Sequence, residues 1–182
     1  MRLVLVPPVP ALLPEYASLT DPVADLRRAC VSAVRWLHAD APTQVVVVGG
    51  ADDPVAPRVA AALLTSTGFS GSGDPSTPGD VECAEAVLVL ANGSARRGER
   101  APGHFDERSF DFDHEVGSAL KTGDLAALEA LDPALADDLL AVGLGELGAC
   151  VAGLRTWQTR EVLFDDDPYG VQYWVVTALC ES

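Results

Sequence analysis

Positive charge is scarce in this chain: Lys and Arg total 12 against 27 Asp and Glu, for a net charge of −15. That balance argues against nucleic acid and anionic membrane surfaces as partners, because both are bound through a basic footprint. Long apolar runs are also missing, which excludes a membrane-spanning helix. The opening stretch Met1-Arg2-Leu3-Val4-Leu5-Val6-Pro7-Pro8 is too short for the apolar part of a signal peptide and ends on prolines rather than small residues. It reads as a first strand, and the expected location is cytoplasmic.

Residues that usually carry chemistry are few. The four cysteines, Cys30, Cys83, Cys150 and Cys180, lack the paired spacing of a zinc site or redox motif, so reduced and mostly buried thiols are expected. His38, His104 and His114 have no histidine four residues away and no cysteine at ligand spacing. His38 suits the C-terminus of a helix, and His104 and His114 suit an acidic surface. No Gly-x-Ser-x-Gly elbow surrounds Ser70, Ser72 or Ser94, and no Walker loop occurs.

What is present is apolar and periodic. The chain has 182 residues, 48% of them hydrophobic, enough for one domain with a substantial core. Leu3 to Val6 and Gln44 to Val48 read as buried strands, and Val87 to Leu90 as another. Asp21-Pro22 starts a helix that carries Val23, Leu26, Cys30, Val34 and Leu37 to about His38, and a second helix runs from about Pro57 to Leu64. Strand, helix, strand, helix in that order predicts a three-layer α/β domain: a central, mostly parallel sheet flanked by helices. Residues 68–80, rich in Gly, Ser and Pro, read as a flexible loop inside it. An amphipathic helix with Phe112, Val116 and Leu120 follows, then helices from Asp124 through Leu131 and from Asp132-Pro133 to about Val142. Glu161–Phe164 and Val171–Leu179 are strands about an acidic turn, joined as a hairpin or both added to the main sheet.

The stretch Ala91-Asn92-Gly93-Ser94-Ala95-Arg96-Arg97-Gly98-Glu99-Arg100 closes the middle strand, and ligand groups are delivered from such strand ends. Gly93 and Ser94 would let backbone approach a ligand, and the arginines suit an anionic group such as a carboxylate. The alternative is a solvated turn whose arginines pair with Asp106, Glu107 and Asp111. Gly143-Leu144-Gly145-Glu146-Leu147-Gly148 matches the dinucleotide glycine spacing, yet it follows a capped helix rather than a strand, so it is read as an interhelical joint. Asp165-Asp166-Asp167 is a carboxylate cluster, but three consecutive carboxylates cannot all face one cation from extended backbone, and an acidic turn fits better. Asp52 and Asp53 lie at the end of the second strand, or cap the helix at Pro54.

Three stretches taken together, residues 6–15 (VPPVPALLPE), 92–95 (NGSA) and 168–173 (PYGVQY), resemble actinobacterial proteins related to the class III extradiol ring-cleavage dioxygenases and the MEMO proteins. The resemblance covers nearly the whole chain and implies an α/β fold with its site at the strand ends. In catalytic members it implies Fe(II) held by two histidines and a carboxylate. Here the corresponding places hold Pro8 after the first strand and Gly49, Gly50 and Ala51 after the second, while Ala95 replaces the acid/base histidine. The implied protein has kept the fold and lost the metal centre. It has no cofactor, and its residual cleft of Pro8, Asp52, Ser94, Arg96 and Arg97 takes a small anionic or aromatic ligand or a protein partner. The competing expectation is a rebuilt site for Fe(II) or another divalent metal on Asp52, Asp53, Glu15 and His104. A third is a structural subunit, a homo-oligomer or the partner of a catalytic chain, recognised by an apolar edge at Val171 to Leu179.

Overall fold

The computed structural model describes residues 1–16, 21–50, 53–75, 81 and 84–182, with the side chains of 74 and 75 left aside. Its centre is a six-stranded sheet: β1 (Arg2–Val6), β2 (Gln44–Val48), β3 (Ser72–Pro75), β4 (Ala86–Leu90), β5 (Thr156–Asp166) and β6 (Tyr173–Glu181), ordered β3-β2-β4-β1-β6-β5. β3, β2, β4 and β1 are parallel, and β6 and β5 add antiparallel strands beside β1. Helices α1 (Ala24–Leu37) and α2 (Ala56–Ser66) cover one face, and α3 (Arg108–Thr122), α4 (Leu125–Glu129), α5 (Pro133–Asp138) and α6 (Leu144–Val151) cover the other. This is the expected single-domain α/β architecture.

Two-residue alternation along each strand divides the core. Val4, Val6, Leu88 and Leu90 pack toward α1 and α2, whereas Leu3, Leu5, Val87 and Val89 pack toward α3 and α6. Every residue of β4 is buried, because both faces of the sheet are covered. β1 and β4 are neighbours, yet β1 leads through α1 to β2 while β4 leads through α3–α6 to β5 at the far edge. Adjacent parallel strands whose connections diverge define the crevice where α/β sheets usually hold ligands.

The structure revises several local readings. Residues 72–75, expected as loop, pair in parallel with β2 as an edge strand, because Ser72 N donates to Thr43 O (3.1 Å) and starts a register with Gln44. Residues 76–80 of that loop, like Asp52 and Cys83, lie outside the described residues. The helix begun at Asp132-Pro133 stops at Asp138 rather than near Val142. Leu140 turns into the left-handed region (φ 57°), and Leu139 O and Val142 O instead accept Ala95 N (2.9 Å) and Asn92 N (3.0 Å). The last helix turns are given up to bind the loop after β4. β5 and β6 form a hairpin and also extend the sheet, so Val171–Leu179 is not an edge: β6 lies between β1 and β5.

The proline-rich segment after β1 is two short 3₁₀ turns, held where prolines leave few amides to pair. Arg27 of α1 anchors it, donating to Leu12 O (2.9 Å) and Ala11 O (2.5 Å) while pairing with Asp21 (2.6 Å).

Candidate functional site

The loop after β4 sits where the sequence places it, but its groups face inward. Asn92, Gly93, Ser94 and Ala95 are all buried. Gly93 N donates to Gln172 O and Gln172 N to Ser94 O (both 2.9 Å), locking the loop to the chain entering β6. A Cβ at Gly93 would lie 2.5 Å from Asp113 Oδ1 and 2.7 Å from the Trp174 ring. The close approach that a glycine permits is therefore to α3 and β6 of the same chain. Pro8 is buried as well, and Ala95 packs in the core cluster that holds Val9, Leu12, Leu13 and Tyr173. Among the described residues, the loops after β1 and β4 both pack inward at this crevice.

Beneath the loop lies a polar network that the sequence did not announce. Ser94 N and Oγ donate to the two carboxylate oxygens of Asp113 (2.8 and 2.5 Å), and Arg97 Nη1 donates to Asp113 Oδ2 (3.0 Å). Arg97 Nε also pairs with Asp167 (2.7 Å), and its guanidinium stacks 4.7 Å from the Phe110 ring. The Asp113 side chain is 2% exposed and that of Arg97 17%. Burial pushes the Asp113 carboxyl above the usual aspartate range, with Ser94 and Arg97 pulling part of that shift back. Burial alone would lower Arg97, but its bonds to Asp167 and Asp113 reverse this and hold its proton more tightly.

Next to this network a cleft of about 400 Å³ opens between α3 and the β5–β6 hairpin, at the carboxyl edge of the parallel strands. Arg97, Phe110, Lys121, Asp165, Gln172 and Trp174 are among its lining residues. Along α3, Phe110, Asp113, His114, Gly117, Ser118 and Lys121 recur at intervals of three and four residues, so one stripe of the helix forms a wall. Phe112, Val116 and Leu120, read from the sequence as the buried face, are indeed buried in the core. Periodicity thus located the back of this helix, and its cleft-facing stripe is the complement.

Of the residues singled out in sequence, Arg97 lines this cleft and Ser94 supports it from below, 0% exposed. Arg96 is half-buried beside Gly103, and its Nε is buried with no hydrogen-bond partner among the described residues. Arg97 departs from the solvated turn described as the alternative, since it pairs with Asp113 and Asp167; Glu99 and Arg100 are exposed, and Asp106 pairs with Arg108 (2.8 Å) and also feels the charge of Arg96. The acidic run 165–167 is likewise divided. Asp165 binds Lys121 (2.5 Å) and Gln172 (2.9 Å), Asp166 accepts from Asp167 N (2.9 Å), and Asp167 binds Arg97.

Of the residues named for a rebuilt metal centre, Asp52 lies outside the described residues, and Glu15 and Asp53 have other partners. Glu15 pairs with Arg58, Asp53 Oδ1 accepts from Val55 N (2.8 Å) at the start of α2, and His104 is exposed. Among the described residues no three His, Cys, Asp or Glu side chains are grouped to hold a metal ion. His38 ends α1, and its Nε2 lies 3.1 Å from Thr67 Oγ1. No helix among the described residues is long and apolar enough to cross a membrane. No family model and no curated protein matches the chain.

Proposed function

We propose that this protein is a non-catalytic relative of the extradiol dioxygenases and MEMO proteins, and that it binds a small anionic or aromatic ligand in the cleft beside α3. The observation that carries the reading is the cleft itself: a concave space at the carboxyl edge of the sheet, with Arg97, Lys121, Phe110 and Trp174 in its walls. Cationic and aromatic groups together suit a planar or carboxylate-bearing molecule. The lost metal centre is supported by what occupies the family's ligand positions. Pro8 has no lone pair to offer, and Ala95 contributes packing to a closed core.

Two measurements test this. Elemental analysis of protein purified without chelators, followed by titration with Fe(II), Mn(II) and Zn(II), is expected to find no stoichiometric metal. Near-stoichiometric uptake would overturn the non-catalytic reading. A thermal-shift screen of small carboxylates and aromatics is expected to yield compounds that raise Tm and lose affinity in Lys121→Glu, a change at an exposed wall residue. A screen whose positives are all indifferent to Lys121→Glu would remove the cleft from the proposal.

A further inference from the structure

One polar group in the wall of the cleft is the indole of Trp174. The residue is 1% exposed, yet it lines the cleft, and its N–H forms no hydrogen bond among the described residues. The contrast with Trp157 is direct, since that indole donates to Thr159 Oγ1 (2.8 Å). Two glycines frame the Trp174 ring. A Cβ at Gly93 would sit 2.7 Å from Cη2 on one side, and a Cβ at Gly117 would sit 3.1 Å from Nε1 on the other. Gly117 lies in the interior of a helix, where glycine is disfavoured. Its bare backbone leaves the indole N–H uncovered toward the cleft.

The remaining lining also carries unused donors, although Asp113 and Asp165 match its two cations in charge. Its carboxylates are satisfied: Asp113 accepts from Ser94 and Arg97, and Asp165 accepts from Lys121 and Gln172. Its cations are not exhausted. Arg97 engages Nε and Nη1, leaving Nη2, and the Lys121 ammonium has three donors of which one meets Asp165. Spare donors of Arg97, Lys121 and the Trp174 indole therefore line a space whose two carboxylates are already engaged.

We infer that the cleft is a carboxylate site in which one oxygen of a small organic acid accepts from the Trp174 indole N–H, with the unused N–H donors of Arg97 and Lys121 within the same walls. This rests on the cleft being the ligand site and names the ligand's chemical class and its anchor. A neutral amide of the same shape offers one oxygen and no charge, so it should bind at least about tenfold more weakly.

The test is an NMR titration of ¹⁵N-labelled full-length protein near pH 7, at constant ionic strength, with sodium benzoate and with benzamide. Assigned indole signals of Trp36, Trp157 and Trp174 are followed together with the backbone amides of α3. Benzoate is expected to move the Trp174 indole signal downfield and saturably while Trp157 stays still, with benzamide far weaker. Gly117→Ala, which places a methyl against Nε1, should weaken benzoate at least about tenfold. Three results would overturn the inference while leaving the cleft as the binding site: α3 amides that shift without the Trp174 indole, benzamide binding as well as benzoate, or unchanged binding in Gly117→Ala. No response in any cleft residue to either probe would overturn both.

Discussion

Replacing Arg97 with alanine separates the buried network from its solvent side. Asp113 would keep the two bonds from Ser94 but lose its only counter-charge in the network, at 2% exposure. Opposite charges a few ångströms apart at an effective dielectric near 20 attract by about 4 kcal/mol. Stranding a buried charge by removing its partner costs about 3 kcal/mol once the 17% exposure of Arg97 is allowed for. The Asp167 pair, with that carboxylate 39% exposed, adds below about 1 kcal/mol, and the stack on half-exposed Phe110 about as much. A loss of about 4 kcal/mol is thus expected, a large share of the roughly 5–15 kcal/mol that holds a domain folded.

The pH dependence sharpens the test. Because Asp113 is raised by burial, the folded chain holds its proton to a higher pH than the unfolded chain does. Stability from that site is full below the ordinary aspartate value and falls as pH climbs through the raised one. Removing Arg97 raises Asp113 further, so the cost of the variant must grow with pH across this window and level off above it. Urea unfolding followed by tryptophan fluorescence at about pH 4 and about pH 7.5 reads both quantities. A loss below about 1 kcal/mol at the higher pH, or an equal loss at both, would refute the reasoning.

Other expectations are simpler. Leu90→Ala, at a fully buried position in the central strand, should lower stability by about 2–5 kcal/mol in the same urea assay. Asp132→Ala removes the side chain that accepts from Ala134 N (2.9 Å) at the start of α5, and should cost about 1 kcal/mol. Burial pushes the Cys30 and Cys180 thiols up to about 12 and that of Cys150 to about 11, so at pH 8 all three stay protonated. In a Cys83→Ser variant no thiol should react with Ellman's reagent until urea unfolds the chain; rapid labelling of the folded variant would contradict that burial.

Local patterns in the sequence were enough for the strands at 2–6, 44–48 and 86–90, since continuous β-branched and aliphatic runs bounded by proline and glycine fit a sheet covered on both faces. The same holds for α1, whose apolar spacing and Asp21-Pro22 start are local signals, and for the inward face of α3 at Phe112, Val116 and Leu120. These features depend on neighbours a few residues away, and the chain encodes them directly. β3 was hidden because Ser72-Gly73-Asp74-Pro75 has no strand propensity of its own and extends only against β2. The early end of α5 was hidden for a related reason, since its last carbonyls bind a loop more than 40 residues earlier.

The site divides the same way. Sequence placed function at the turn after β4 and singled out Ser94, Arg96 and Arg97, because glycine, serine and arginine at a strand end are visible chemistry. Only tertiary structure decided that Ser94 faces inward to Asp113, 19 residues on, and that Arg97 crosses to Asp167, 70 residues on. The cleft that Arg97 lines lies between α3 and the hairpin, with Trp174 in its wall. Composition and periodicity state which side chains want burial or charge neutralisation. Which partner meets each demand depends on strand order and helix placement, and those are set by the packing of the whole chain.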